Sequence, residues 1–209
     1  MRDQQKEPSI VYWLGDSLYL NITNMCSNCC YFCFRKFKNG IQDFNLKLEK
    51  EPTAKKVIEE LRKVRHRRDW KEVVFCGFGE PLERLDLVLE IARWLKKHFW
   101  KRVRVDTNGQ GYMLNKGVDV VQKLKTAGVD KVSVSLNAHD KETYNKICKP
   151  TFENAYENVL EFIRRANEAD LEVEATVVSI PEVNITKARK LAEKLRVKFV
   201  VRDYIPFFW

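Results

Sequence analysis

Four of the chain's six cysteines fall within one short segment, Cys26-Ser27-Asn28-Cys29-Cys30-Tyr31-Phe32-Cys33. Thiolates are soft metal ligands, and crowding of this kind marks a metal site rather than a set of disulfides. Taken as Cys26, Cys30 and Cys33 the spacing is C-x3-C-x2-C. Three thiolates on one loop can ligate three irons of a cubane and leave the fourth iron open to another molecule. Taken as Cys26, Cys29 and Cys33, with Cys76 or a histidine added, the same segment is a structural zinc site. Spacing alone leaves both readings open. In the first, Cys29 is a passenger, because its side chain leaves the loop in a different direction from that of Cys30.

Further polar groups follow short apolar runs. Gly77-Phe78-Gly79-Glu80-Pro81 comes directly after Glu72–Cys76. Its glycines permit close backbone approach, and its carboxylate can accept from an ammonium group or face a helix N-terminus. Asp106-Thr107-Asn108-Gly109 and Ser133-Val134-Ser135-Leu136-Asn137 end two more runs. Such residues also serve as plain turn formers. Arg202 ends another; its guanidinium can grip a carboxylate with two parallel bonds or pair with a neighbouring Asp or Glu. Arg35, Lys36 and Lys38 follow the cysteines and are candidate contacts for an anionic substrate. His66 and His98 read as surface residues near helix ends, and His139 as part of a helix start.

The elements that must position these groups alternate in period. Strands are predicted at Ser17–Thr23, Glu72–Cys76, Arg102–Asp106, Lys131–Asn137, Val173–Ser179 and Val197–Tyr204. Ile10–Leu14 pairs with the first of them across Gly15-Asp16. Helical stripes lie between: Val57, Ile58, Leu61 and Val64 behind a Thr53 cap, then Leu85 to Phe99, Val121 and Leu124 ending near Gly128, Phe152 to Ala166, and Ala188 to Leu195. The apolar runs Val73-Val74-Phe75, Val177-Val178 and Phe199-Val200-Val201 predict burial on both faces, as in a parallel sheet covered by helices. Six strand–helix units are too few for a closed eight-stranded barrel. The expected fold is α/β, a partial (β/α)6 TIM-like barrel open on one side with a short N-terminal β-hairpin, forming a single domain over residues 1–209. In such folds the strand-end loops share one rim, so the polar motifs converge there. Arg62, Lys63, Arg65, Arg67, Arg68, Lys96, Lys97, Lys101 and Arg102 fall on the opposite rim.

The cysteine spacing, with an aromatic residue before the last cysteine, resembles the radical S-adenosylmethionine superfamily. The stretch LYLNITNMCSNCCYFCFRKFKNG looks most like its small TatD-associated members. The resemblance covers Tyr12 to Phe207 and favours the cluster over zinc, because the later motifs occur in the expected order on the expected elements. It implies a [4Fe–4S] cluster on Cys26, Cys30 and Cys33, and S-adenosylmethionine bound by Phe32, Gly77, Phe78, Gly79, Glu80, Thr107, Asn108, Ser135, Asn137 and Arg202. Reductive cleavage of S-adenosylmethionine to a 5′-deoxyadenosyl radical would then abstract hydrogen from a substrate. An external flavodoxin- or ferredoxin-like electron donor is implied. The open side suits a bulky or anionic substrate, RNA among the options, or a protein partner on which a radical is installed.

The chain's totals exclude other classes. No apolar stretch approaches the roughly 20 residues of a membrane span, and MRDQQKEPS lacks the core of a signal peptide. Together these predict a cytoplasmic protein with reduced thiols. The formal charge of +9 over 209 residues fits either a nucleic-acid partner or a surface rich in ion pairs. With no cysteine-rich tail before Trp209, one cluster rather than two is expected.

Overall fold

The computed structural model describes residues 7–99 and 101–204. The outer parts of the expected 1–209 domain lie outside the described residues. The chain opens with a hairpin, β1 (Val11–Leu14) and β2 (Ser17–Leu20), turned at Gly15 with φ +56°. The cysteine loop follows, then a tight turn at Phe34–Lys36 and a small ribbon of β3 (Gly40–Ile41) and β4 (Phe44–Asn45). From there strands and helices alternate: α1 (Ala54–Val64), β5 (Glu72–Phe75), α2 (Leu85–His98), β6 (Arg102–Thr107), α3 (Gly111–Leu114), α4 (Val120–Thr126) and β7 (Lys131–Ser135). Two successive helices, α5 (Lys141–Cys148) and α6 (Ala155–Glu168), then lead to β8 (Glu172–Val178), α7 (Ile185–Lys194) and β9 (Lys198–Arg202).

One sheet carries the order β1-β2-β5-β6-β7-β8-β9. β1 is antiparallel, and the six strands from β2 to β9 are parallel in chain order. Among the described residues β1 and β9 do not pair with each other. The sheet is therefore an open six-unit α/β barrel with an antiparallel hairpin at its edge. Helix starts follow local chemistry. Thr53 accepts the Lys56 amide, Asp119 that of Gln122, Asp140 that of Thr143 and Asn184 that of Lys187, so otherwise orphaned amides are satisfied. α4 stops before Gly128, at φ +92° a conformation glycine adopts without strain.

Two features differ from the pattern read along the sequence. First, the strands are not apolar on both faces. Leu18, Leu20, Val73, Phe75, Val103, Val105, Val132, Val134, Val173 and Ala175 join the helices in one core cluster. The opposite face is largely polar, with Val74 of β5 buried on it. Arg104 pairs with Glu72 and with Asp106, each at 2.9 Å. Lys131 Nζ lies 2.8 Å from Glu174 Oε2, while Ser133 Oγ donates to Glu174 Oε1. Second, Phe199-Val200-Val201 lies on the edge strand β9, and Val201 is exposed. Among the described residues its apolar run has no covering strand on the outer side, so two-sided burial holds for Val73-Val74-Phe75, each fully buried, and fails at the edge strand.

Candidate functional site

The loop after β2 is fixed before any ligand binds. Asn21 is fully buried, donates to the carbonyls of Ser9 and Leu46, and accepts the Phe78 amide through Oδ1 at 2.9 Å. Further on, the loop is laced to the C-terminal end of α5 and the loop beyond it. The Cys29 amide donates to Cys148 O at 2.9 Å, the Tyr31 amide to Ile147 O at 3.1 Å and the Thr151 amide to Ser27 O at 2.8 Å. Cys26, Cys30 and Cys33 are thus presented from a loop whose backbone is tied into the barrel. Cys29 is exposed.

The glycine–glutamate segment packs against this same loop. A Cβ on Gly77 would sit 2.2 Å from Asn21 Oδ1, and one on Gly79 would sit 2.3 Å from Met25 O. The close approach that these glycines allow is to the chain's own backbone, not only to a ligand. Glu80 is almost wholly buried. Its Oε1 accepts from Thr107 Oγ1 at 2.7 Å and the Leu82 amide at 3.0 Å, and its Oε2 accepts from the Asn108 amide at 2.6 Å. Burial pushes its pKa up to about 7 against these hydrogen bonds. Asn108 then links back to the cysteine loop, donating to Ser27 Oγ at 2.9 Å and reaching Cys26 Sγ at 3.9 Å.

These strand ends surround one cavity of about 460 Å³. Cys26, Cys30, Phe32, Cys33, Arg35, Lys36, Gly77, Phe78, Gly79, Glu80, Thr107, Asn108, Ser135, Asn137 and Arg202 all line it. Lys38 alone of the singled-out residues does not. The thiols are those of buried neutral groups: burial raises Cys26 to about 12 and raises Cys33, and Cys30 is raised first by a hydrogen bond with Cys148 and then by burial. Thiols of this kind ionise when a cation replaces the proton, so the donor set suits a positively charged metal group. Among the described residues no three His, Cys, Asp or Glu side chains close on one point as a single ion requires. The trio edges a wide cavity that leaves room beside it for a further ligand.

Two basic residues are engaged by the chain itself. Arg35 Nη1 donates to Asn24 O and Phe78 O, each at 3.1 Å, and its guanidinium lies over the Phe78 ring. It clamps the cysteine loop to the glycine segment. Arg202 donates to Ser133 Oγ at 3.1 Å and stands 3.8 Å from Asp106. On the opposite rim Arg62, Arg67 and Arg68 lie over Trp94, Trp13 and Trp70, and Lys101 pairs with Asp69. His139 Nδ1 accepts the Asn184 amide ahead of α7, beside the Asp140 cap.

Sequence reasoning missed a buried network behind the loop. Gln110 Nε2 donates to Asn28 Oδ1 at 2.7 Å and to Tyr144 Oη at 2.9 Å, and Asn28 Nδ2 donates to Tyr144 Oη at 3.1 Å. Cys76, offered along the sequence only as a fourth ligand of the zinc alternative, lines the cavity, and Cys148, left there without an assignment, is fully buried at the end of α5.

The open parallel α/β barrel thus carries three thiols on its first strand-end loop, facing a cavity shared with the other strand ends of the same rim. Residues 20–195 match the Radical SAM superfamily, and the chain belongs to that superfamily. Its members use a [4Fe–4S] cluster and S-adenosylmethionine, so this is a radical S-adenosylmethionine enzyme. A protein of Saccharolobus islandicus named probable GTP 3′,8-cyclase is 36% identical over 156 residues, 75% of this chain and 45% of its own length. One of Thermoplasma volcanium with the same name is 25% identical over 192 residues, 91% of this chain and 53% of its own. The chain thus spans about half the length of these curated relatives. The fold is shared with Streptococcus suis SuiB bound to S-adenosylmethionine, at TM-score 0.67 and 18% identity over 90% of this chain and 40% of that one. It is shared too with TYW1 bearing a lysine–pyruvate adduct, at TM-score 0.64 and 18% identity over 91% and 65%. No helix among the described residues is long and apolar enough to cross a membrane.

Proposed function

We propose that residues 1–209 form a single radical S-adenosylmethionine core that acts on a bulky, anionic, phosphate-bearing substrate. The observation that carries this reading is the convergence of all three cysteines, the glycine–glutamate segment and both polar strand ends on one cavity. Cys26, Cys30 and Cys33 hold the [4Fe–4S] cluster. When it is bound and reduced, one-electron cleavage of S-adenosylmethionine supplies a 5′-deoxyadenosyl radical for hydrogen abstraction.

The chain's own residues do the rest by position. Glu80, with three donors fixing its oxygens, presents a carboxylate at the cavity wall for the ammonium of the methionyl part. The backbone of Gly77, Phe78 and Gly79 lies alongside, and Thr107, Asn108, Ser135 and Asn137 meet the methionyl and ribose groups. Phe32 packs beside the adenine. Arg202 has guanidinium nitrogens beyond the one bonded to Ser133, enough to take the cofactor carboxylate. Lys36 is exposed and lines the cavity, so it is the cation best placed to meet the substrate, with Lys38 farther out and Arg35 holding the loop. The names of the curated relatives, probable GTP 3′,8-cyclases, support a phosphate-bearing substrate. The electron comes from a flavodoxin- or ferredoxin-like donor, in a reducing cytoplasm that keeps the cysteines out of disulfides.

The test is anaerobic reconstitution followed by incubation with dithionite and S-adenosylmethionine. Wild-type protein should release 5′-deoxyadenosine and methionine, and Cys30→Ala should release neither above the protein-free background. Equal release by both would overturn the cluster assignment. Adding GTP deuterated on the ribose tests the substrate class, because deuterium appearing in 5′-deoxyadenosine marks the hydrogen source.

A further inference from the structure

The chain's excess positive charge is not spread evenly. Between Arg62 and Lys71 stand six cations, Arg62, Lys63, Arg65, Arg67, Arg68 and Lys71, against one acid, Asp69. More than half of the net charge of +9 therefore falls in ten of 209 residues. They close α1 and lead into β5, on the rim away from the cysteines. Asp69 is taken by Lys101, Lys63 pairs with Glu60, and Lys71 pairs with Asp16. Arg62, Arg65, Arg67 and Arg68 make no ion pair among the described residues, although Asp16 lies within electrostatic reach of Arg68. The end of a helix carries roughly half a negative charge, too little to absorb four guanidiniums.

Three of the four lie over tryptophan rings. Arg62 Cζ is 5.9 Å from the centre of the Trp94 ring, Arg67 Cζ 5.5 Å from that of Trp13 and Arg68 Cζ 5.0 Å from that of Trp70. Trp94 belongs to α2, Trp13 to β1, and Trp70 precedes β5, so the stacks fasten exposed arginines to three separate elements. A guanidinium supported by an indole has lost much of its freedom and still has N–H groups to offer an anion in pairs. Carboxylates and phosphates both suit that fork. A folded protein surface mixes charges of both signs, whereas a polynucleotide repeats one negative charge at every residue, and a surface of nearly one sign matches the second. We propose that this rim is a nucleic-acid docking surface, on which Arg62, Arg65, Arg67 and Arg68 contact the phosphates of a polynucleotide backbone. Trp70 is buried, and Trp13 and Trp94 are half-buried. Bases find little ring face to stack on, so the surface reads charge and not sequence. None of the four arginines lines the cavity, and the proposal stands or falls apart from the reading of that site.

The full chain is titrated into a short fluorescein-labelled single-stranded RNA of mixed sequence and its DNA counterpart, with labelled polyglutamate and phosphatidylglycerol vesicles as the other polyanions. Fluorescence anisotropy reads the soluble probes and co-sedimentation the vesicles. Wild type should bind the nucleic acids and lose about 20-fold in affinity or more between about 50 and 200 mM salt. The combined Arg62→Gln, Arg67→Gln and Arg68→Gln variant should bind about tenfold more weakly at the lower salt, with a log–log salt slope flatter by about 2. If that variant fails to fold, Arg67→Gln alone reads the same change as a slope flatter by about 0.7. Lys187→Gln, Lys190→Gln and Lys194→Gln together remove the same charge from exposed positions of α7 and should leave affinity unchanged. Equal weakening by the two triple variants would mean attraction by net charge alone and overturns the proposal. Tighter binding of polyglutamate or of vesicles overturns it in favour of an acidic protein or a membrane, and absence of binding to either nucleic acid overturns it outright.

Discussion

The two ends of the parallel strands use polarity in opposite ways. At the amino ends charges meet charges: Lys96 with Asp130 at 2.5 Å, Lys131 with Glu174 at 2.8 Å and Arg104 with Glu72 at 2.9 Å. At the carboxyl ends Thr107, Asn108, Ser135 and Asn137 are uncharged, and buried Glu80 is held by neutral donors. Paired charges make a frame whose charges are balanced within the chain. Glu80 itself has neutral donors only, so its charge is left to be balanced by what binds, although Arg35, Lys36, Asp106 and Arg202 stand elsewhere on the cavity wall. The difference separates residues that should govern stability from those that should govern ligand binding.

The largest effect should come from breaking the frame. Glu174 is nearly buried, and its burial raises its pKa, but Lys131, Lys198 and Ser133 outweigh this and lower it to about 2. Lys131→Ala removes its closest charge, and leaving a buried charge short of its partner costs about 3 kcal/mol. Denaturant unfolding of the cofactor-free chain should show that loss while the reconstituted variant keeps its full iron content. A loss of iron with unchanged stability would erase the distinction between the two ends.

The same contrast predicts opposite responses to pH. Glu174 binds its proton more weakly in the folded state than its ordinary value of 4.5, so its stabilisation is full above about 4.5 and is lost as the pH falls toward 2. Glu80 binds its proton more tightly, with a pKa of about 7 against 4.5. Its contribution is full below about 4.5 and is lost as the pH rises through 7, amounting to roughly 3 kcal/mol across that window. Stability of cofactor-free Glu80→Gln should therefore fall less steeply than wild type between pH 5 and 8. Parallel curves would mean that Glu80 is ionised throughout. The slope is the readout, since the glutamine amide also faces donors and shifts stability at every pH.

Much of this arrangement was legible in the sequence, and the exceptions have physical reasons. Strand order and the shared rim follow from alternating periods, because each parallel strand needs a crossover before the next. The polar strand face was written in Arg102-Val103-Arg104-Val105-Asp106 and in Lys131-Val132-Ser133-Val134-Ser135, whose alternation is plain. Valine runs in the neighbouring strands hid it, because Val74 of β5 adds a buried apolar residue to that face. α5 went unread since its buried residues, Tyr144, Ile147 and Cys148, are too few to make a long stripe, although Asp140 stood ready as its cap. The network of Asn28, Gln110 and Tyr144 left no local signal at all. Its members meet only through the fold, as do Cys29 and Cys148.

Glycines at the site sharpen the comparison at a smaller scale. In Gly79→Ala the new Cβ would press on Met25 O, a backbone atom with little freedom to move. A cost of about 1–3 kcal/mol is expected from such overpacking. Unlike the loss in Lys131→Ala, it should be accompanied by weaker binding of S-adenosylmethionine, because the displaced backbone belongs to the cavity wall. Calorimetric titration of the reconstituted variant separates the two outcomes. Unchanged affinity would show the wall to be more yielding than the frame.

The smallest effect concerns Arg35, which belongs by position to the site and by its contacts to the frame. One of its nitrogens bridges the carbonyls of Asn24 and Phe78, joining the two loops that carry the cysteines and the glycines. Lysine in its place keeps the charge but cannot lay a planar group over Phe78 while reaching both carbonyls. Arg35→Lys should cost about 1 kcal/mol and loosen the cluster, seen as faster iron release to a chelator. Lys36→Glu should leave iron release unchanged and raise KM for an anionic substrate, because its charge lies at the cavity rather than between the loops. If instead Arg35→Lys raised KM with iron release unaltered, the guanidinium would be serving the ligand. The boundary between frame and site would then run one residue earlier in the chain.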